Sequence, residues 1–173
     1  EFITAIELFP ILIGKMGKSS IAVINSSSGK YIGSVSGMRN NMRHLIIKND
    51  HFYLSINRGG YIQKTNIDSF VTHLENDLSK DYNNWEEVFV GYGARTIEVD
   101  PTGRYLFVAV SNESEIVIVR TEDMKIIATC PVDSFPVGLD VSADGKYVIV
   151  TSQGKAGKGG GNSVMIFEIK YKK

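Results

Sequence analysis

A single cysteine, Cys130, in a chain of 173 residues leaves no partner for an internal disulfide and no thiolate set for a cysteine-based metal site. It lies in the apolar run Ile126-Ile-Ala-Thr-Cys130, where a cysteine reads as a small buried hydrophobe in a strand rather than a reactive thiol. An excess of charge is missing too. Nineteen Lys and Arg balance nineteen Asp and Glu, so no net field favours nucleic acid or another polyanion, and any electrostatic site must come from local clustering. No apolar stretch is long enough to span a bilayer. Residues 2–13 are interrupted by Glu7 and Pro10 and lack a basic leading segment. The first residue is not methionine, which leads us to expect a piece of a longer protein, with any targeting segment outside this chain.

Catalytic signatures are equally scarce. His44, His51 and His73 lack metal-ligand spacing, and no haem-attachment motif is present. No serine sits in a Gly-x-Ser-x-Gly elbow. Gly14-Lys-Met-Gly-Lys-Ser-Ser20 has the look of a phosphate loop, but the spacing asks for a glycine where Leu12 stands, and a strand follows instead of a helix. Asp50, Asp100, Asp123, Asp140 and Asp144 fall mostly in turns. A carboxylate pair for glycoside hydrolysis is defined by a distance that sequence does not supply. We therefore expect no catalytic residue, no metal site and no cofactor, and lean against an enzyme.

What is present is a repeat. Residues 95–132 hold four short apolar strands joined by polar turns, and residues 137–169 begin the same pattern again. Aligning Asp100-Pro-Thr-Gly103-Arg-Tyr105 with Ser142-Ala-Asp-Gly145-Lys-Tyr147 gives a period of about 42 residues, in the range of propeller blades. Earlier units are looser. Residues 2–8, 9–14, 21–24 and 30–35 read as strands of a first unit. His44–Ile47 and Phe52–Ile56 flank a hairpin signal at Asn49-Asp50 in a second. Phe70, Val71, Leu74 and Leu78 recur at helical spacing, with Asp68 or Ser69 placed to cap, which predicts an inserted helix over 68–80. Trp85 and Tyr82 would pack that insertion down. The expected division is 1–36, 43–90, 95–132 and 137–169 within one segment: all-β, in four-stranded antiparallel blades, belonging to a larger propeller whose other blades come from a companion segment, with a closed four-bladed ring as the alternative.

Over Asp100–Val108 and Ser142–Val150 the chain resembles the YVTN-repeat β-propellers, whose repeat carries "S-P-D-G-K" before an apolar strand. Pro136-Val-Gly-Leu-Asp-Val141, Glu115-Ile-Val-Ile-Val119 and Lys125-Ile-Ile-Ala-Thr129 match the other strands of that repeat. The likeness is good over 91–169 and weaker over 20–65. It implies a wheel of about seven blades and a bacterial extracytoplasmic setting, in the periplasm or at the cell surface. It also implies two functional options. One is a binding module. The other is a lactonase-like hydrolase with a divalent cation held in the channel by carboxylates and asparagines. A haem-carrying propeller, as in some nitrite reductases, would need axial ligands that this portion lacks.

Departures from the repeat are where function is expected. Arg43 and Arg95 occupy equivalent places just before the first strand of their units, beside the channel if that strand is innermost. Val137 takes the place in the next unit. With His44 they would form a cationic mouth for a carboxylate or phosphate, whose two oxygens a guanidinium engages together. The loop Gly154-Lys-Ala-Gly-Lys-Gly-Gly-Gly161 replaces the shorter Ser111–Ser114. Its glycine amides, with Lys155 and Lys158, would make an anion-accepting nest. The expected partner is an anionic small molecule or an anionic protein surface.

Overall fold

The computed structural model describes residues 6–7 (backbone only), 19–76, 80–155, 157 and 159–171. Lys158, the Gly14–Lys18 stretch, Leu78 and most of the expected strands over 2–14 lie outside these residues. The described chain forms four sheets in sequence order. The first contains β1 (Ile6–Glu7), β2 (Ser20–Asn25) and β3 (Tyr31–Ser36). The second contains β4 (Met42–Lys48), β5 (His51–Ile56), β6 (Tyr61–Asn66) and β7 (Glu86–Phe89). The third contains β8 (Ala94–Val99), β9 (Tyr105–Val110), β10 (Glu115–Arg120) and β11 (Lys125–Pro131). The fourth contains β12 (Pro136–Val141), β13 (Tyr147–Ser152) and β14 (Ser163–Glu168). Each strand pairs antiparallel with its sequence neighbour inside its sheet. These are the blades of a β-propeller, and β8 lies beside both β4 and β12 as the innermost strands.

Local chemistry sets the hairpins between first and second strands. Asp100 O accepts the Gly103 N–H at 2.9 Å, and Gly103 takes φ +76°, a conformation that costs glycine little. The Asp100 carboxylate accepts the Tyr105 N–H at 2.9 Å together with the Thr102 hydroxyl and N–H. Ser142, at the aligned position, repeats the plan: its hydroxyl oxygen accepts from Tyr147 N–H at 3.0 Å while donating to Asp144. In the second sheet Asn49 and Asp50 both have positive φ, the two-residue hairpin geometry that suits the strand twist.

Alternation along β5 and β9 buries the second and third sheets on both faces. Phe52, Leu54 and Ile56 of β5 join Ile21, Val23 and Val35 of the first sheet in one core. Tyr53, between them, faces the third sheet. Leu106, Val108 and Val110 of β9 look back to the second sheet, and Phe107 and Ala109 look forward to Leu139, Val148 and Val150. Polar links cross the same gaps. The Lys64 ammonium, 6% exposed, donates to Thr121 O at 2.9 Å and pairs with Glu86 at 3.2 Å.

The helix α1 spans Ile67–Asn76 in the third connection of the second sheet. Its cap is Asn66, whose Oδ1 accepts the Ser69 N–H at 3.2 Å, so capping falls two residues before the expected Asp68 and three before Ser69. Phe70 and Leu74 are buried, and Phe70 stacks on Phe52 and meets Tyr82 and Trp85 edge-on. Among the described residues no helix is long and apolar enough to cross a membrane.

The carboxylate of Asp100, in a residue with no solvent exposure, holds a turn that Ser142 holds at the surface. We expect Asp100→Ala to cost about 2 kcal/mol in urea unfolding, from amides left unpaired in a buried place. Ser142→Ala should cost under about 1 kcal/mol, since water replaces its bonds. Equal costs would contradict this account.

Candidate functional site

The inner strands share an irregularity at their beginnings. Register with the second strand shifts between Met42 and His44, between Ala94 and Ile97, and between Pro136 and Gly138. A bulge at that point re-aims the side chain it carries. Those side chains are Arg43, Arg95 and Val137, which lie just inside the inner strands rather than before them. The strands are tied across the blades at the same level. The Ser55 hydroxyl accepts the His44 N–H at 3.0 Å and donates to Arg95 O. The Thr96 hydroxyl donates to Val137 O at 2.6 Å.

His44 is part of this tie. Its Nδ1 accepts the Ile97 N–H at 3.2 Å, which leaves the proton on Nε2 of a neutral ring. Burial lowers its pKa, so it adds no positive charge at neutral pH. The arginines are different. Arg95 is partly buried, and its pKa is lowered first by burial and then by the nearby Arg43 charge. The two expected cations are thus brought close enough to repel. Arg39, by contrast, lies over the Tyr61 ring at 3.9 Å and forks onto Glu87 at 2.8–3.0 Å. Lys64, Arg120, Lys125, Lys146 and Lys170 also have carboxylate partners. Among the described residues Arg43, Arg95 and Lys155 have none within ion-pair distance, and neither do Lys30, Lys48, Arg58 and Arg104.

Lys155 joins the arginines through a residue that sequence reasoning passed over. The residue before each inner strand is left-handed: Asn41 at φ +69°, Gly93 at +91° and Phe135 at +59°. Each carbonyl accepts an N–H from the end of the second strand, from Asn57, Ser111 and Gln153 in turn, at 3.0 Å each. Asn and Gly tolerate that conformation. A phenylalanine pays roughly 1–2 kcal/mol for it. Its ring has the Arg95 guanidinium carbon 5.7 Å from the centroid and the Lys155 ammonium at 5.9 Å. The signal was present in the sequence as a break in the series Asn41, Gly93, Phe135. Ser134, the preceding residue, is buried, and its hydroxyl has no hydrogen-bond partner among the described residues.

One amide of the glycine-rich loop is taken up by the chain's own anion. Asp133 sits within the loop: its Oδ2 accepts from the Ser163 hydroxyl at 2.6 Å, its Oδ1 accepts the Ser134 N–H at 2.7 Å, and the Gly161 N–H also donates to its carboxylate. A Cβ on Gly160 would strike that carboxylate. The Gly161 amide of the expected nest is therefore engaged by the chain's own anion, and the loop is anchored so that Lys155 stands over Phe135.

Two other features lie apart from this mouth. Cys130 is partly exposed on β11, an outer strand, and not a buried hydrophobe. It helps line an apolar groove of about 590 Å³ with Ile118, Ile127 and Phe167, on the side of the fourth sheet where the second and third carry a fourth strand.

No protein-family model matches the chain, and no curated protein matches it. Solved structures do. It is similar to a hydrazine synthase structure from Kuenenia stuttgartiensis (TM-score 0.71, 18% identity, 86% of this chain and 40% of that one). It is similar to a functionally unknown protein from Desulfotomaculum acetoxidans (0.66, 17%, 88% and 45%). A protein from Lactobacillus plantarum is also similar (0.64, 14%, 88% and 48%). At these identities the likeness is one of fold, and the chain spans less than half the length of each.

The donors around Asp133 hold its carboxyl below the ordinary aspartate range, the Ser163 hydroxyl contributing most. Such a group stabilises the fold fully above the unfolded value of about 3.9 and loses that contribution as pH falls through its depressed folded value. We expect the Ser134 and Gly161 amides to stay protected in hydrogen exchange down to about pH 4 and to open below it. In Asp133→Asn they should exchange at least about tenfold faster already at neutral pH. Unchanged protection would refute the anchoring role.

Proposed function

We propose that the chain is a non-enzymatic binding module that takes an anionic ligand or partner at one mouth of the propeller channel. The observation that carries this is the convergence of Arg43 on Arg95 and of Arg95 and Lys155 on the Phe135 ring, with no carboxylate partner for any of the three among the described residues, whereas Arg39 and Lys64 are each paired. Holding like charges together unpaired opposes folding, and an incoming anion reverses the sign of that term. Guanidinium groups at two neighbouring bulges suit a carboxylate or phosphate presenting paired oxygens. The lactonase-like alternative asks for a divalent cation at the channel. A cluster of three cations repels one there, and among the described residues no three His, Cys, Asp or Glu side chains come together as ligands. The YVTN resemblance supports a bacterial extracytoplasmic setting.

A second surface favours the companion segment. Tyr53 and Phe107, on the forward faces of the second and third sheets, are 2% and 6% exposed, whereas Ile149 at the same place in the fourth is 38% exposed. Val164 and Ile166 beside it are 66% and 65% exposed. A further blade, of the kind that covers the other two faces, is the occupant that fits by continuity.

Calorimetry with succinate at low ionic strength tests the mouth. We expect measurable binding that weakens with salt, and a loss of roughly tenfold or more for Arg43→Ala with Arg95→Ala. Equal affinity in the double variant, or metal-dependent turnover in a lactone screen, would overturn the reading. For the second surface, Ile149→Lys with Ile166→Lys should destabilise the longer protein by about 3 kcal/mol or more, and a neutral result removes the companion blade.

A further inference from the structure

The chemistry of the mouth narrows the anion it takes. Arg43 and Arg95 repel each other and Lys155 adds a third positive charge at the Phe135 ring, none with a carboxylate partner among the described residues, so a monoanion leaves the mouth with net positive charge. A ligand with two negative charges offsets it better. The ring of Phe135 adds a second requirement. It occupies a left-handed position that holds Asn41 and Gly93 in the two preceding blades, so the chain keeps an aromatic where small, polar or flexible residues serve the backbone better. Neither cation covers the ring closely. Arg95 and Lys155 stand 5.7 and 5.9 Å from its centroid, against 3.9 Å for the Arg39–Tyr61 stack. The residue is partly exposed. A flat group can lie against it between two cations, with ring centroids at ordinary stacking separation.

Ser134 supplies an independent observation. It is 8% exposed, and its hydroxyl has no hydrogen-bond partner among the described residues. Buried hydroxyls are nearly always bonded, and an unbonded one calls for a group that is absent from the bare chain. It stands between Asp133 and Phe135 in the chain, and its own carbonyl accepts the Gly154 N–H at 2.9 Å. That bond joins the residue to the base of the Lys155 loop. A ligand oxygen reaching this hydroxyl would satisfy it.

We infer that the channel mouth is a site for a dianion carried next to a planar ring, with Arg43, Arg95 and Lys155 meeting the charge and Phe135 stacking on the ring. This rests on the anion-binding reading above and makes Phe135 the residue that sets ligand class. The same chemistry is offered by an aromatic dicarboxylate and by an aryl phosphate monoester.

Calorimetry on the full chain with four probes separates the possibilities: succinate, benzoate, phthalate and phenyl phosphate. Phthalate, phenyl phosphate or both should bind roughly three- to tenfold more tightly than succinate, and benzoate should bind more weakly than any of them. Whichever of the first two binds more tightly identifies the source of the charge. Phe135→Asn, which restores the residue type of position 41 and relieves the backbone, should bring the ratio of phthalate to succinate affinity down to about one. If succinate binds as well as both aromatic dianions, or if Phe135→Asn keeps the ratio, the ring requirement is wrong while the anionic mouth stands. If no probe binds, both fall together.

Discussion

The structure depends on sheets whose two faces are both apolar. A strand such as β9 alternates residues that look backward with residues that look forward, and burial is nearly complete on both sides. No such sheet is stable in water with one neighbour missing, since each buried Leu, Val or Phe contributes about 1.5–3 kcal/mol only when covered. Blades must therefore be made in series, each supplying the cover of the last. The second and third sheets meet that condition, and the fourth does so on one face.

That serial packing also fixes the inner strands, and through them the mouth. Because β4, β8 and β12 lie side by side, their bulges fall at one level and Arg43 is brought near Arg95. The hydroxyls of Ser55 and Thr96 hold the level by bonding carbonyls of the next blade. A neutral, half-buried His44 belongs to the same scaffold, since a charged imidazole facing the Ile97 amide would lose the acceptor that the tie needs. Position, here, is a consequence of packing, and identity at the position is free to vary. Arg, Arg and Val occupy three equivalent places without disturbing the fold.

How far sequence reaches follows the same line. The Asp100 and Ser142 turns were legible because backbone geometry demands particular residues there, and both turns repeat the same bonds. Apolar alternation was legible for the same reason. Arg43 and Arg95 could be singled out as equivalent, but a bulge leaves no residue signature, so their approach could not be read. Lys155 could be named only as a loop residue, because its place is set by Asp133, more than twenty residues earlier, whose carboxylate looks like any other turn acid. Cys130 was misjudged because an apolar run does not say whether its strand is inner or outer. Phe135 was missed although its neighbours in the repeat were visible, since the positive φ that makes it unusual belongs to the backbone.

The mouth breaks rules that the scaffold keeps. Around Phe135 there are like charges without a counter-ion, a bulky residue in the left-handed region, and a buried hydroxyl without a partner. The last two each disfavour the bare fold by an amount of order 1 kcal/mol or more, and the screened repulsion of the charges adds to them. Conflicts of this kind are expected where function is paid from stability, and their coincidence at one place is harder to attribute to packing than any one of them. A ligand that neutralises the charges and satisfies the hydroxyl removes two of the three. Binding at the mouth is therefore thermodynamically linked to the stability of the adjoining blades, because the ligand prefers the folded chain for the same interactions whose absence weakens it.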